Sequence, residues 1–492
     1  SSKILSMFGS SKGSSAPGAK VSPPSDPPVT LLTNLHKWAS ITPDKKAISF
    51  YEKVPPTLPL GPSPEATTYT YRQLLASAYA TSNRLKALKS KKGGGLALAL
   101  GDRVLLVYPP SPSFIVSFLA LLLMGCVPVP VFPPDPLKLK VDAGQFASIV
   151  RSSGAKVALT NGQYNYAKKL TSLSASSKVA FPTHLLWHVT DSTLAADKAA
   201  SIPPTPTLED PTSPAFLQYT SGSTSDPKGV VITVKSLTHN LSTISRHLST
   251  SQSTVCVSWL PQYHDMGLIG SYLGLLYCGG SGYYTSPLTF IKDPCCVLRM
   301  IDDFKGTHVQ MPNFAFKLLT KRQTQKPQTY SLSSVLHCIN AAEPVDWGTV
   351  SSFLRVFGPL GFRPSSMQVT YGLAEHTVFV CSGGQDVTVV DRGRADGGGG
   401  PAQNADDDTA EHSKPNRKRK VWDDVDVAPG EKAYVSCGLV GGGGDDGIEV
   451  IIVSEGRRAA EGRTGEICVR SDSVADGYYG MESDDFDAVV EG

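Results

Sequence analysis

The sequence predicts an α/β protein carrying a small β subdomain, and three observations lead there. From Leu31 to about Gly384, helical stretches alternate with short apolar runs, the pattern of parallel sheets covered by helices on both faces. Beyond Gly384 the runs are short and separated by Gly and Asp turns with no helix between them, as in a small β unit. Hydrophobic residues form 40% of the 492-residue chain and Gly adds 45 positions, a balance that supports a large core and excludes a disordered polymer.

Residues 1–28 are rich in Ser, Gly, Pro and Lys and hold no acid before Asp26, so they cannot bury enough apolar surface to fold alone. A disordered linker is expected there; a processed transit segment would share the composition. Residues 29–210 read as a first α/β subdomain, with a helix over Tyr71–Ala87 and strands at Arg103–Tyr108, Val127–Phe132 and Lys156–Thr160. The apolar run Phe114–Val127 falls short of the ~20 residues a membrane span needs and reads as a buried helix. Residues 211–385 read as a second α/β subdomain, with strands at Val230–Thr233 and Val255–Trp259 and a Gly-rich helix-like run at Gly267–Leu276. Residues 386–492 form the β subdomain, with strands at Val387–Val390, Ala433–Ser436, Ile448–Val453 and Gly465–Val469. Within it, 395–432 is of low complexity and is expected to be a mobile loop. Its basic tetrad Arg417–Lys420 is flanked by Asp423, Asp424 and Asp426, and reads as solvated loop charge rather than a phosphate or nuclear-localisation patch.

Charge balance is nearly neutral, 46 Lys and Arg against 43 Asp and Glu, so nothing global points to nucleic acid. The nine cysteines include no C-x-x-C pair, which argues against a disulfide scaffold or structural zinc. They read as small buried hydrophobes in a reducing compartment, so the cytoplasm is expected, with a plastid as the alternative should residues 1–28 be a transit segment.

The segment Tyr219–Val230 carries the chemistry. Between two strand-like runs it places five Ser or Thr hydroxyls, two glycines and one lysine, a turn whose backbone N–H groups, hydroxyls and cation can wrap a polyphosphate. The order Lys228-Gly229 rules out a Walker A loop, in which Gly-Lys precedes Ser or Thr.

This loop resembles the phosphate-binding signature of the adenylate-forming superfamily. The stretch Trp259–Gly270 looks like the version of the next motif found in fatty acyl-AMP ligases, and Tyr108–Pro110, Val127–Pro136, Asn340–Pro344 and Tyr371–Glu375 match further motifs in order. The resemblance spans about Thr30 to Phe486 and implies two helix-covered, mainly parallel sheets with a small β-barrel-like subdomain. It further implies that Thr220, Ser221, Gly222, Ser223, Thr224 and Lys228 cradle the phosphates of ATP, and that Glu375, with Thr224 nearby, holds Mg2+. Asn340, Ala341, Ala342 and Glu343 would run along the adenine, with Tyr371 stacked on it and Gly372 beside it. His264 would gate the approach of the acyl carboxylate. Joining a carboxylate to a polyanion demands these residue types, because phosphate charge must be neutralised before attack at phosphorus. Apolar residues within Met266–Leu276 and Val309–Leu319 are candidates for an acyl tunnel, although helical spacing of this kind is also that of ordinary core.

Two departures accompany the resemblance. Ser225 stands where glycine is common, and Gly465–Arg470 with Gly477–Tyr479 resemble the motif before the ribose-binding Asp and hinge, yet the chain stops at Gly492. The small C-terminal domain with its catalytic Lys is therefore expected to be missing, and the chain alone to be weakly active or inactive. The long stretch 388–432 falls where acyl-AMP ligases carry the segment that disfavours CoA. The expected activity is ATP-dependent conversion of a fatty acid to fatty acyl-AMP for an acyl carrier protein or polyketide synthase module. A long-chain acyl-CoA ligase and a silent nucleotide-binding module are the alternatives.

Overall fold

The computed structural model of the protein describes residues 3–4, 29–60, 66–87, 98–135, 139–172, 181–191, 200–204, 210–220, 226–391, 417–422, 427, 431–440, 446–460, 465–482 and 486. Its largest sheet has nine strands. Six of them run parallel, in the spatial order Lys46–Tyr51, Ser281–Thr285, Val255–Ser258, His308–Pro312, His337–Ala341 and Met367–Tyr371. Antiparallel strands close both edges, Ala66–Thr70 on one side and Cys381–Gly384 followed by Gly438–Val440 on the other. A second sheet of four parallel strands is built from Val127–Pro130, Arg103–Leu106, Val157–Thr160 and Leu186–Val189. The apolar run expected to be a buried helix is one: Pro112–Leu123 is buried from Pro112 to Leu121, as suits a helix without a polar face.

The sheets do not divide at residue 210. Lys46–Tyr51 and Ala66–Thr70 precede that boundary, yet they pair into the nine-stranded sheet with strands that follow it. Lys46–Tyr51 is buried at every position but the first, so it needs cover on both faces and finds it inside the larger sheet. Periodicity identified the element type but carried no information about its distant partner.

The antiparallel hairpin Pro214–Tyr219 and Gly229–Thr233 lies between the two sheets. Side chains alternate along a strand. Phe216, Val230 and Ile232 accordingly join the large core, whereas Leu217 and Val231 join the smaller core under the four-stranded sheet. The two strands are thereby held from both sides.

Among the described residues, the C-terminal region forms two small sheets besides the strand it gives to the nine-stranded one. Asp386–Asp391 pairs antiparallel with Arg417–Val421 and with Glu431–Val435. Glu449–Ser454 pairs with Arg457–Arg458 and Glu466–Arg470, and Lys3–Ile4 adds in parallel to Cys468 and Val469. The basic tetrad therefore belongs to a strand and not to the loop expected over 395–432; charge count hid a segment whose backbone is paired. Residues 395–416, 423–426 and 428–430 of that expected loop lie outside the described residues, as do 1–2 and 5–28 of the expected linker.

None of the nine cysteines is in a disulfide; eight are buried and Cys437 is half-buried, as the reading of them as small hydrophobes expects. Among the described residues no helix is long and apolar enough to cross a membrane.

Candidate active site

The sequence motifs converge at the carboxyl ends of the parallel strands, where open α/β sheets bind ligands. After the strand Val255–Ser258 the chain turns sharply through Trp259–Asp265. Two glutamines fix this turn: Gln262 accepts from the Ser111 N–H at 2.9 Å and donates to the Ser111 carbonyl at 3.0 Å, and Gln218 donates to the Tyr263 carbonyl at 2.9 Å. His264 Nδ1 lies 2.7 Å from Asp265 Oδ1, which also accepts the Met266 N–H at 2.6 Å. Burial pulls the His264 pKa down, but the hydrogen bond and charge of Asp265 more than reverse this, so the imidazole titrates above its ordinary range.

The helix-like run that follows is a π-helix over Met266–Leu273, continued as an α-helix over Gly274–Cys278. Wide helical turns of this kind cluster at functional sites. Gly270 faces Gln310, which donates to its carbonyl at 2.8 Å. Together with Met266, these two residues line a cavity of about 200 Å3 whose other walls include Ile244, Leu248, Ile339 and Phe379. From the expected tunnel stretches, Val309, Met311, Phe316 and Leu319 belong to the same core but do not line this cavity.

Of the expected adenine segment, Ala341 and Ala342 line this cavity together with Thr370 and Gly372. Asn340 is fully buried beneath them, its Nδ2 donating to Asn313 Oδ1 at 3.2 Å. Glu343 does something the sequence did not suggest. Its Oε1 accepts the Phe314 N–H at 2.6 Å and so caps the helix Asn313–Gln325, whose preceding Pro312 offers no side-chain acceptor. Tyr371 ends the strand Met367–Tyr371, half-buried.

Gly372 opens the turn that carries Glu375. A side chain there would place its Cβ 1.7 Å from the Val378 carbonyl oxygen, so the chain can fold back only without one. Thr377 sits at φ 65° and ψ −66°, with the Val378 N–H bonded to the His376 carbonyl at 2.7 Å, a strained three-residue turn. His376 anchors it, its ring nitrogens meeting the Phe379 carbonyl at 2.8 Å and Ser471 Oγ at 2.6 Å, while Thr377 donates to the Ser473 carbonyl at 2.8 Å.

Glu375 projects into a second cavity of about 390 Å3, lined also by Phe132, Asp142, Gln145, Tyr219 and Thr220. Thr220 and Lys228 close the neck of the phosphate loop through a 3.0 Å backbone hydrogen bond. Ser221, Gly222, Ser223 and Thr224 lie outside the described residues. Lys228 places its ammonium 4.4 Å from the ring centroid of Tyr478, whose hydroxyl donates to Glu375 Oε1 at 2.8 Å. Tyr478 arrives there because Gly477–Tyr479 pairs with Gly229 and Val231 along the hairpin. The contributions of Ile244, Leu248 and Phe379 were not foreseen, since they come from segments that match no site motif; Tyr478 lies in the matched stretch Gly477–Tyr479, but its contacts to Lys228 and Glu375 were not foreseen.

Parallel sheets, a hairpin carrying Thr220 and Lys228, and a turn that brings Glu375 to the same cavity are the marks of the adenylate-forming class of nucleotide-dependent enzymes. The chain belongs to the AMP-binding enzyme family, whose model matches residues 35–479. It is 34% identical over 392 residues to the medium-chain-fatty-acid acyl-carrier-protein ligase JamA of Moorena producens, covering 77% of this chain and 60% of that protein. It is 28% identical over 471 residues to a long-chain-fatty-acid AMP ligase of Mycolicibacterium smegmatis, covering 92% of this chain and 66% of the relative. The chain thus spans about 60% of the length of the first of these relatives. Among solved structures it resembles the fatty acyl-adenylate ligase of L. pneumophila in complex with acyl adenylate and pyrophosphate, with a TM-score of 0.72 and 29% identity over 92% of this chain and 70% of that one. An adenylation domain of a keto acid-selecting nonribosomal peptide synthetase module, at 18% identity and TM-score 0.73, shares the fold.

Proposed function

We propose that this chain is the acyl- and nucleotide-binding part of a fatty acyl-AMP ligase, which converts a fatty acid and ATP to fatty acyl-AMP and pyrophosphate and passes the acyl group to an acyl carrier protein. The observation that carries this reading is a shared wall: His264 and Asp265 line both cavities. An acid whose chain fills the mainly apolar cavity presents its carboxylate at that wall, facing the cavity that holds Thr220 and Glu375. One carboxylate oxygen then forms a bond to the α-phosphorus as the bond from that phosphorus to the pyrophosphate oxygen breaks, the electron pair leaving with pyrophosphate. Lys228 and the hydroxyls of Thr220, Ser221, Ser223 and Thr224 meet the departing phosphates, and Gly222 lets the loop backbone approach them. Tyr371 stacks on the adenine, and Asn340, Ala341, Ala342 and Gly372 form the segment along its edge; Ala341, Ala342 and Gly372 also line the acyl cavity, so this segment is a wall that the two ligands share. Glu343, already engaged as a helix cap, fixes that segment from behind.

The oxygen donors suit Mg2+: the Glu375 carboxylate lines the larger cavity with Asp142, hard ligands for a hard cation. Bound there by Glu375 and Thr224, Mg2+ would neutralise phosphate charge. The acceptor is inferred from the acyl-carrier-protein ligase relative, and a carrier domain within a polyketide synthase module fits the same chemistry. Nine cysteines with no disulfide among them favour a reducing compartment, and we assign the protein to the cytoplasm.

The test is incubation of the complete protein with Mg-ATP and a panel of fatty acids, with CoA or a holo acyl carrier protein added, and products read by mass spectrometry. Acyl-AMP that is consumed by the carrier protein and ignored by CoA is expected. Acyl-CoA as the product would make it an acyl-CoA ligase, and absence of adenylate with every acid would leave a silent nucleotide-binding module.

A further inference from the structure

Lys228 and Glu375 approach the same point from two sides, one on the hairpin and one on the turn after the strand Met367–Tyr371. Opposite charges in a half-buried cleft attract strongly. Among the described residues, however, no ion pair joins them. Both meet Tyr478 instead, Lys228 on the ring face at 4.4 Å and Glu375 on the hydroxyl at 2.8 Å. The ring is held on its own account: it packs edge-to-face on Phe486 at 5.1 Å, and its backbone bridges Val230.

We propose that Tyr478 is a positioning residue that keeps Lys228 and Glu375 apart before Mg-ATP binds, so that the ammonium stays available to phosphate and the carboxylate to the metal. A lysine and a glutamate in direct contact would have to separate before Mg-ATP could bind, and their attraction would be lost from the binding free energy. The phenol removes that competition with two weaker, replaceable contacts: a cation on an aromatic face, and one neutral hydroxyl donating to a carboxylate. It also fixes which carboxylate oxygen faces the cavity, because Oε1 is occupied by the hydroxyl and the other oxygen is left for the cation. The two functions reside in different parts of one side chain, so they can be removed separately.

This inference rests on the adenylation reading above, and the experiment separates the two. ATP is titrated calorimetrically into the complete chain, once in EDTA and once with Mg2+, for the unaltered protein, Tyr478→Phe and Tyr478→Leu, with thermal melts to confirm folding. The unaltered protein is expected to bind ATP more tightly with Mg2+. Tyr478→Phe keeps the ring and should bind metal-free ATP within about twofold of the unaltered protein, while its gain from Mg2+ shrinks about tenfold, the scale of one hydrogen bond to a charged group. Tyr478→Leu releases Lys228 onto Glu375 and should also lose severalfold in metal-free ATP affinity. A general packing effect would instead weaken both titrations equally in both variants. Full retention of the Mg2+ gain in Tyr478→Phe, or undiminished metal-free affinity in Tyr478→Leu, overturns the assignment of Tyr478. No ATP binding by the unaltered chain overturns the adenylation reading and this inference with it.

Discussion

His376 stands one residue past Glu375 and is fully buried, its imidazole lowered to about 4 chiefly by that burial, with the Phe379 carbonyl opposing and His239 assisting. His308 is lowered to about 4 for the same main reason. An unfolded histidine titrates near 6.5, so between that pH and about 4 the unfolded chain binds protons that the folded chain excludes. Stability should therefore be complete above pH 6.5 and fall progressively as the pH drops to 4. Urea titrations across that window should show His376→Gln reducing the slope by about one proton. In the active site, Glu375→Gln or Lys228→Ala should abolish acyl-adenylate formation, with unchanged melting temperature, if their charges act on phosphate and metal as proposed; wild-type rates in either would refute the site. Both residues were legible because they stand in compact motifs. Tyr478 was not, because its contacts join positions 228, 375 and 478, and nothing local in the sequence encodes that meeting.

Among the elements, helices and strands were legible wherever periodicity was strong, as in Tyr71–Lys86, whose Thr70 and Gln73 also form a reciprocal cap. The π-helix over Met266–Leu273 was not, since its residues are apolar all round and one added residue per turn leaves no compositional mark. Two glycines in it behave differently on substitution. A Cβ at Gly267 would lie 2.1 Å from the Pro261 carbonyl oxygen, part of the backbone, whereas at Gly270 the nearest atom, at 2.4 Å, is the side-chain oxygen of Gln310. Backbone cannot move aside without carrying the His264 turn with it. Gly267→Ala should cost about 1–3 kcal/mol in urea unfolding, the usual range for overpacking. Gly270→Ala should be better tolerated and act mainly on acyl-chain preference, by displacing Gln310 in the cavity wall.

Across the whole molecule, the helix Val234–His247 is one of the elements that tie the C-terminal β region to the second α/β unit, beside the strand pairing of Gly438–Val440 and the bonds of His376 and Thr377. Asp446, almost fully buried, bonds His247 Nε2 at 2.6 Å and pairs with Arg246, while His239 reaches Ser473 Oγ at 2.7 Å. Removing the acid strands two polar partners, so Asp446→Ala should destabilise by about 3 kcal/mol in urea. By contrast, Lys235 and Asp472 pair at 2.8 Å with both side chains more than half exposed, and Lys235→Ala should cost under about 1 kcal/mol. The α/β class and the β region could be anticipated, but the pairing of Lys46–Tyr51 into the distant sheet could not, because a buried strand advertises burial and not its neighbour. The distribution of thiols has a practical consequence. Eight are buried and Cys437 alone is half-exposed, with burial raising its pKa. A maleimide dye applied to the native fold at mildly alkaline pH should add slowly and at a single address, on the rim where the β region meets the nine-stranded sheet, and the remaining eight sulfurs should become countable only when denaturant opens the chain.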